Sequence, residues 1–583
     1  MKRGYRFISF LVAGLSVAAI ATAQTTPSPS SPARAKTAGF DAFRGDRPYG
    51  WVGQSRSETV TTNGMVATSQ SLAAEAGLEI LHAGGNAFDA AVATAAALNV
   101  VEPGSAGIGG DTFIIAWSAK DNKLIALDGS GRAPSGATPE RFAAKGLTRI
   151  PGKGIDSAVV PGAIDGWDVL LKAKGTMTFK QVLEPAARIA EQGFGLTERI
   201  SNEWSSEAPL LAEDPESARV YLPGGKAPGL YQVFKNPDLA KALRLIGTQG
   251  RDAFYKGAIA EAAVKRSQEL GGSFTMADFA KIHARWVDPI STSFNGYEIW
   301  QMPPSTQGFA VLQMMNMLDV CPAKLGLDPG KLTPKSADYW HLMVEAKKLA
   351  YDDLDQYDGD PDFSDIPVKK LISKDYAAAQ CGKIDLHKAI NPRSVAQSIG
   401  GTVYLTTADR WGNVVSLIYS VYGGSGSGVT VPGFGFLLNN RGAQFKLDPK
   451  SPNVIAPGKR PFYTIIPGFV TKDGKPYMSF GVMFGDQQAQ GQSQVLANVL
   501  KWNANPQAAG DAARFSHNQR GNRLLLESEL FDAIGADLIA RGHKVTKANG
   551  LTMGGYQAIL IDPTSGVYRG ASDSRKDGQA IGY

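Results

Sequence analysis

Past the middle of the chain, "SIGGTVYLTTADRWGNVVSLIYSVYGG" (398–424) sets Gly400 and Gly401 ahead of a threonine, Thr402, that opens a strand-like run. A threonine hydroxyl is a poor nucleophile without a base. At a chain terminus it has one of its own, because a free α-amine with a pKa of about 7.7–8.0 can hold the hydroxyl proton at neutral pH. A cut between Gly401 and Thr402 would therefore make nucleophile and base one residue. The hydroxyl can make that cut by attacking the Gly401 carbonyl, which gives an ester that water opens. Glycine ahead of the threonine tolerates the strained backbone of such an attack. On spacing alone a second reading stays open, an ordinary glycine loop entering a strand.

Other chemistry is excluded residue by residue. The loop "EPGSAGIGGDTF" (102–113) has glycines at 104, 107, 109 and 110, which fit neither nucleotide-binding spacing, and a helical segment precedes it where a strand should. The six histidines (82, 283, 341, 387, 517, 543) stand alone in sequence, without metal-ligand spacing, so neither a metal nor another cofactor is expected. No G-x-S-x-G elbow occurs. Cys321 and Cys381 lie beside no His/Asp arrangement, and their pairing is left open.

The elements that must position Thr402 follow from composition and period. The chain has 583 residues, 43% hydrophobic and 20% charged, with a net charge of +6 and no long basic run, so it should fold and nucleic acid is not an expected partner. Lys2, Arg3 and Arg6, an apolar run to Ile20, and Ala21-Thr22-Ala23 predict a signal peptide over 1–23 and a periplasmic or secreted protein. That run is shorter than the roughly 20 residues that span a bilayer, so no membrane association is expected once it is removed. A Ser/Thr/Pro-rich leader follows over 24–40. Helices are predicted at 68–82, from Ala87, at 179–192, 237–247, 257–270, 338–357 (charges along one side), 490–502 and 529–541. Strands are predicted at 402–408, 414–421, 461–470, 476–482, 556–562 and 567–571. Strand-rich pieces between helical blocks predict a layered α/β fold, helices covering sheets.

The stretch from Gly401 to "NNRG" (439–442) resembles the opening of the small subunit in the gamma-glutamyltransferase (gamma-glutamyltranspeptidase) family of self-processing N-terminal nucleophile (Ntn) hydrolases. The likeness extends over "GMVATSQSLAAEAGLEILHAGGNAFDAAVATAAALNVVEPGSAGIGGDTF" (65–113), "VPGAIDGW" (160–167), "MPPSTQGFAVLQMMNML" (302–318), "HLMVEAKKLAYDDLDQYDGDP" (341–361), "KRPFYTIIP" (459–467) and "GASDSRKDGQAIGY" (570–583). The resemblance implies a four-layer αββα sandwich built by two subunits of one self-cleaved precursor, here 41–401 and 402–583. It makes Thr402 the nucleophile and Gly401–Thr402 the cut. It gives Ser420 the role of hydrogen-bonding the nucleophile. Phe484-Gly485 falls at the oxyanion-holding Gly-Gly pair, with the backbone donors kept and Gly485 counted as catalytic. The partners implied are a small amide substrate and the two subunits themselves; association of two heterodimers is left open.

Departures from the family pattern concern the acyl pocket. Its amine-binding positions fall on Tyr422, Arg441 and Gln444, and its carboxylate-binding serine pair on Tyr463 and Thr464. The family's clamping arginine would fall on Ser130, with Arg132 two places later. An acid lost and Arg441 gained would reverse the local charge and disfavour a substrate ammonium by several kcal/mol if both are poorly solvated, on the order of Coulomb's law at low dielectric. Arg441 is then the expected partner of a substrate carboxylate; a surface or intersubunit ion pair is its other reading. The pattern is similar to the oxamate amidohydrolase-like branch, and a short 441–460 segment implies an open cleft. Two activities are carried forward. One is hydrolysis of gamma-glutamyl (glutathione-type) or related carboxylate-bearing amides, with some acyl transfer. The other is hydrolysis of oxamate- or glutaryl-type amides; a binding protein that has lost catalysis stands behind both.

Overall fold

A strand whose residues alternate between two faces can be buried on both only if each face has its own partner layer. In the computed structural model, which describes residues 54–393, 400–548 and 550–583, Gly401–Ala408 is central in a seven-stranded antiparallel sheet, flanked by Met65–Thr68 and Val414–Tyr422. Val403 and Leu405 pack with helices Ser71–His82, Ala87–Val101 and Phe179–Gln192, while Tyr404 joins Phe113, Ile418, Phe469 and Ile559 in a core between two sheets. The second sheet also has seven antiparallel strands, with Lys475–Val482 between Tyr556–Ile561 and Gly468–Lys472. Its outer face is covered by helices Gly308–Lys324, Ala337–Tyr357 and Gln487–Leu496. The layers run helix, sheet, sheet, helix, the αββα sandwich expected from the sequence.

The predicted cut falls inside this architecture, not between domains. Strands from both sides of residue 401 share each sheet: Met65–Thr68 and Asp111–Ser118 enclose the Gly401–Ala408/Val414–Tyr422 pair, and Tyr297–Gln301 pairs with Gly468–Lys472. Backbone ladders and buried apolar faces would hold the two pieces together after cleavage.

Local signals place most elements. Asn86 caps Ala87–Val101 in a capping box with Asp89, and every residue of that helix is buried, as its small apolar composition requires. The first helix starts at Ser71 instead of 68, because Met65–Thr68 is taken up as a strand and the Gln70 side chain caps the helix. The strand expected over 461–470 is confined to Gly468–Lys472; Pro461 and Pro467 lack the N–H a ladder needs. The helix expected over 490–502 runs as Gln487–Leu496 and continues as a wider π turn over Ala497–Lys501.

Two points the sequence leaves open are settled. Of the charges along one side of Ala337–Tyr357, Glu345, Lys347 and Lys348 are buried. Lys348 Nζ donates to Glu345 Oε1 at 2.7 Å, an ion pair, and Lys347 Nζ donates to the Gln519 amide Oε1 at 3.1 Å, so both ammonium groups are hydrogen-bonded internally. Cys321 and Cys381, left open by sequence, form a disulfide that joins Gly308–Lys324 to Lys374–Cys381. The expected signal peptide and leader lie outside the described residues. Among the described residues, no helix is long and apolar enough to cross a membrane.

Candidate active site

The Val414–Tyr422 strand organises the site, with Gly401–Ala408 on one edge and Asp111–Ser118 on the other. Its register sets Tyr422 opposite Gly401 and Ser420 opposite Asp111, with an irregularity between Gly401 and Val403. Bulges of this kind re-aim side chains at functional places. In the uncut chain the Thr402 and Ser420 hydroxyls both donate to the Gly401 carbonyl oxygen, each at 2.7 Å. The Tyr422 N–H donates to Ser420 Oγ at 2.6 Å, which leaves the Ser420 proton for that carbonyl. Two donors on one carbonyl oxygen draw charge from its carbon and favour attack there. Thr402 and Ser420 are 3% and 0% exposed, so this polarisation is little screened by water.

The glycines before Thr402 are explained by space. Neither Gly400 nor Gly401 has a positive φ, so backbone strain is not what selects them. A Cβ on Gly400 would run into the Tyr422 carbonyl oxygen, and one on Gly401 would lie 2.8 Å from Ser105 Cα and 2.9 Å from the Gly104 carbonyl oxygen. Gly110 is pressed against the Ser420 carbonyl in the same way. The glycine-rich 104–110 loop is thus a packing surface for the cleavage strand pair.

Phe484 and Gly485 follow the Lys475–Val482 strand, in which Gly481 packs on the Tyr404 ring, two residues from Thr402. Both have positive φ, 91° and 51°. For Phe484 this is a strained conformation that glycine would adopt freely. Among the described residues, neither N–H has a hydrogen-bond acceptor, while Gln307 Nε2 holds the Gly485 carbonyl at 3.1 Å and also donates to the Thr464 carbonyl. The turn therefore presents two free backbone donors, as an oxyanion site requires.

Behind Tyr422 lies the charged part of the site. Arg441, at the start of the Arg441–Gln444 turn, is fully buried between two rings, its Cζ 4.6 Å from the Tyr422 centroid and 4.8 Å from that of Tyr463. Its Nη1 donates to Thr464 Oγ1 at 3.2 Å, and its Nε lies 3.9 Å from Asp111 Oδ2. Among the described residues, Nε, Nη2 and Asp111 Oδ2 have no hydrogen-bond partner. The Gly131 N–H holds Asp111 Oδ1 at 2.6 Å. Burial pushes the Asp111 carboxyl up from 3.8 to about 7, with the Arg441 charge opposing, and burial also pulls the guanidinium below its ordinary range. The surface reading of Arg441 is thereby removed, while its reading as an intersubunit ion pair is supported, because Asp111 belongs to 41–401 and Arg441 to 402–583. The expected charge reversal is also corrected, because Asp111 supplies a facing acid that sequence reasoning did not pick out.

The remaining candidates separate. The Tyr422 hydroxyl donates to Gln444 Oε1, and both side chains are partly exposed, forming the outer wall. Tyr463 is wholly buried, with its hydroxyl on the Gly131 carbonyl at 3.1 Å. Arg132 is committed elsewhere, to the Gly458 carbonyl at 2.9 Å and to Asp362 at 3.8 Å, so it is not brought to Arg441.

Known proteins bear on both the family and the fold. The gamma-glutamyltranspeptidase family model matches residues 73–583. The chain belongs to this family. Within the family it is 36% identical to a glutathione hydrolase-like YwrD proenzyme of Bacillus subtilis, over 90% of this chain and 99% of that one. The oxamate amidohydrolase proenzyme of Klebsiella pneumoniae matches at 32% over 90% of this chain and all of that one. The solved cephalosporin acylase of Bacillus halodurans superimposes with a TM-score of 0.86 at 38% identity, covering 92% of this chain and 98% of that one. The protein is thus a gamma-glutamyltranspeptidase-family amidohydrolase or acylase with the Ntn fold.

Two features of this family member escaped sequence reasoning. Asn439 and Asn440 of "NNRG" are buried ties: Asn439 Nδ2 reaches the Gly109 and Val159 carbonyls at 2.9 and 3.0 Å, and Asn440 Oδ1 accepts from the Gly423 N–H at 2.7 Å. Their position beside Arg441 was the available signal. The histidines do not all stand alone, since His341 Nδ1 and His543 Nε2 meet at 2.8 Å beside Glu345. Lys348 Nζ bonds Glu345 at 2.7 Å and the Ile390 carbonyl at 2.9 Å, so the positive charge in that cluster is a lysine's.

Proposed function

We propose that this chain is an exported proenzyme that cuts itself between Gly401 and Thr402 and then hydrolyses carboxylate-bearing amides with Thr402 as an N-terminal nucleophile. The observation that carries it is the convergence of the Thr402 and Ser420 hydroxyls on the Gly401 carbonyl at 2.7 Å. Thr402 Oγ attacks the Gly401 carbonyl carbon, the C–N bond breaks as the amine takes up a proton, and an ester remains. Water opens the ester, leaving a Gly401 carboxylate, a free Thr402 hydroxyl and its α-amine. In turnover that amine accepts the hydroxyl proton as Oγ attacks the substrate amide. The developing oxyanion is held by the Phe484 and Gly485 N–H groups, the substrate amine leaves with a proton, and water releases the acid. Transfer to an amine acceptor is the minor outcome.

The acyl group is read from Arg441. Tyr422, Arg441 and Gln444 supply no carboxylate for a substrate ammonium, and the one facing acid, Asp111, is already shared with Arg441. Glutaryl- or oxamate-type acyl groups, with a carboxylate and no α-amine, fit this set better than gamma-glutamyl. The disulfide supports passage through an oxidising compartment.

The test uses purified full-length protein. Wild type should run as two fragments, one beginning Thr-Val-Tyr-Leu, and Thr402→Ala as one inactive chain. A glutaryl anilide should be cleaved at least as fast as a gamma-glutamyl anilide. A wild type that never yields the Thr402 terminus overturns the mechanism. Strong gamma-glutamyl preference overturns the acyl assignment alone.

A further inference from the structure

Arg441 can meet a substrate carboxylate only if something uncovers it, because in the uncut chain its side chain has no solvent exposure. Resting on the reading above, we propose that self-cleavage is the uncovering step: Tyr422 is a cover that the precursor holds shut over an anion-recognition site, and the cut at Gly401–Thr402 releases it.

The two rings that enclose the guanidinium are not equivalent. Tyr463 is the fixed inner one, its hydroxyl on the Gly131 carbonyl at 3.1 Å, its N–H on the Ser305 carbonyl at 2.7 Å and its ring against Phe113. Tyr422 is the outer one, partly exposed, its hydroxyl on the partly exposed Gln444. Displacing Tyr422 alone opens a route to Arg441 without disturbing the core.

Beside its contacts to Ser420, Gln444 and Arg441, which stay within 402–583, Tyr422 is held by the segment that cleavage frees. Tyr422 has a φ of 82°, a left-handed conformation unfavourable for a side chain of its size. Gly401 is its register partner, and Gly400 packs on its carbonyl so closely that no Cβ fits. While the peptide is intact, Thr402 in the central strand tethers both glycines against Tyr422. After the cut, Gly401 is a chain end carrying a new carboxylate, and the strained residue is no longer clamped by a continuous strand.

The covered group is prepared for an anion. Nε and Nη2 form one edge of the guanidinium, the pair that binds a carboxylate with two parallel hydrogen bonds, and both lack an acceptor. The nearest acid oxygen, Asp111 Oδ2, stands 3.9 Å from Nε, beyond hydrogen-bond distance, while its Oδ1 is held by Gly131. A carboxylate entering past the displaced ring would satisfy what the closed form leaves unsatisfied.

Labelling with phenylglyoxal, an arginine-selective dicarbonyl, followed by peptide mass spectrometry of Arg441, tests the cover independently of turnover. Mature wild type, uncut Thr402→Ala, and uncut Thr402→Ala carrying Tyr422→Gly are compared; glycine suits the positive φ, so the ring is removed without a backbone penalty. Arg441 should be labelled in the first and third chains and protected in the second, and glutarate should restore protection wherever labelling occurs. Tyr422→Phe in the uncut background, which keeps the ring, should stay protected. Labelling of uncut Thr402→Ala at the mature level, or protection of mature wild type, overturns the proposal, as does protection of the Tyr422→Gly chain. A mature enzyme whose Arg441 is labelled but which prefers gamma-glutamyl anilide would keep the cover and lose the acyl assignment.

Discussion

Ser420 and Tyr422 are two residues apart on one strand, yet the regions they serve are built from different materials. Around Ser420, hydroxyls and backbone groups do the work: two O–H donors at 2.7 Å on one carbonyl, free N–H groups at Phe484 and Gly485, and glycines wherever a Cβ would intrude. Around Tyr422 the parts are large and charged, a buried guanidinium between aromatic rings with one imperfect acid partner. In the proposed mechanism the first region performs a reaction whose geometry is independent of the acyl group, and the second decides which acyl group enters. A site divided in this way can change specificity without touching its chemistry, and the mixture of glutathione hydrolase-like, acylase and oxamate amidohydrolase relatives has that form.

The largest effect should come from the backbone-built region. Gly400→Ala places a methyl group against the Tyr422 carbonyl and must displace either the scissile segment or the end of the Val414–Tyr422 strand. Near-complete loss of self-cleavage is expected, since a misplacement of about 1 Å costs on the order of 10²-fold. A time course on a denaturing gel reads it. Cleavage at the wild-type rate would show that the close fit is not what aligns the carbonyl.

The charged region should respond in stability instead. In an uncut Thr402→Ala background at pH 8, above the value of about 7 to which Asp111 is raised, Arg441→Met leaves its carboxylate buried without a counter-ion, which typically costs about 3–5 kcal/mol. Adding Asp111→Asn, which keeps an acceptor for the Gly131 N–H, should recover much of that loss. Urea denaturation of the single and double variants gives the coupling. Additive losses would show that the 3.9 Å pair is not energetically linked and that Arg441 is held by the tyrosines alone.

The same division explains what could be read from sequence. Thr402 and its glycines are adjacent in the chain, so the chemistry they imply needs no tertiary knowledge, and the alternation from Val403 to Ala408 fixes a two-sided strand. The family motifs then supply the layers. Asp111 was passed over because its meaning depends on a strand register that sets it opposite Ser420 and on a turn more than three hundred residues later that delivers Arg441. The surroundings of the Ala337–Tyr357 charges are not legible for a similar reason: helical period shows that they share a side, but their partners His517, Gln519 and His543 come from distant segments. Periodicity reports which face a residue is on, and not what covers that face.

The smallest effect concerns how Asp111 titrates. Its carboxyl is raised from 3.8 to about 7 by burial, against the opposing charge of Arg441. A carboxyl raised on folding binds its proton more tightly in the native chain. Its contribution to stability is therefore complete below about pH 4 and is lost as pH rises towards 7. Glu102 and Glu207, raised to about 7 by burial as well, act in the same direction, whereas the buried His341, His517 and His543, pulled below their ordinary value, act in the opposite one. The difference between the uncut Thr402→Ala chain and the same chain carrying Asp111→Asn isolates one residue. Their stabilities should diverge by a few kcal/mol between pH 4 and 7.5, at about 1.4 kcal/mol per pKa unit of the shift, the asparagine chain losing less. Parallel profiles would mean that Arg441 keeps Asp111 ionised throughout. The region behind Tyr422 would then be a fixed ion pair, with Arg441 less free to accept a substrate carboxylate.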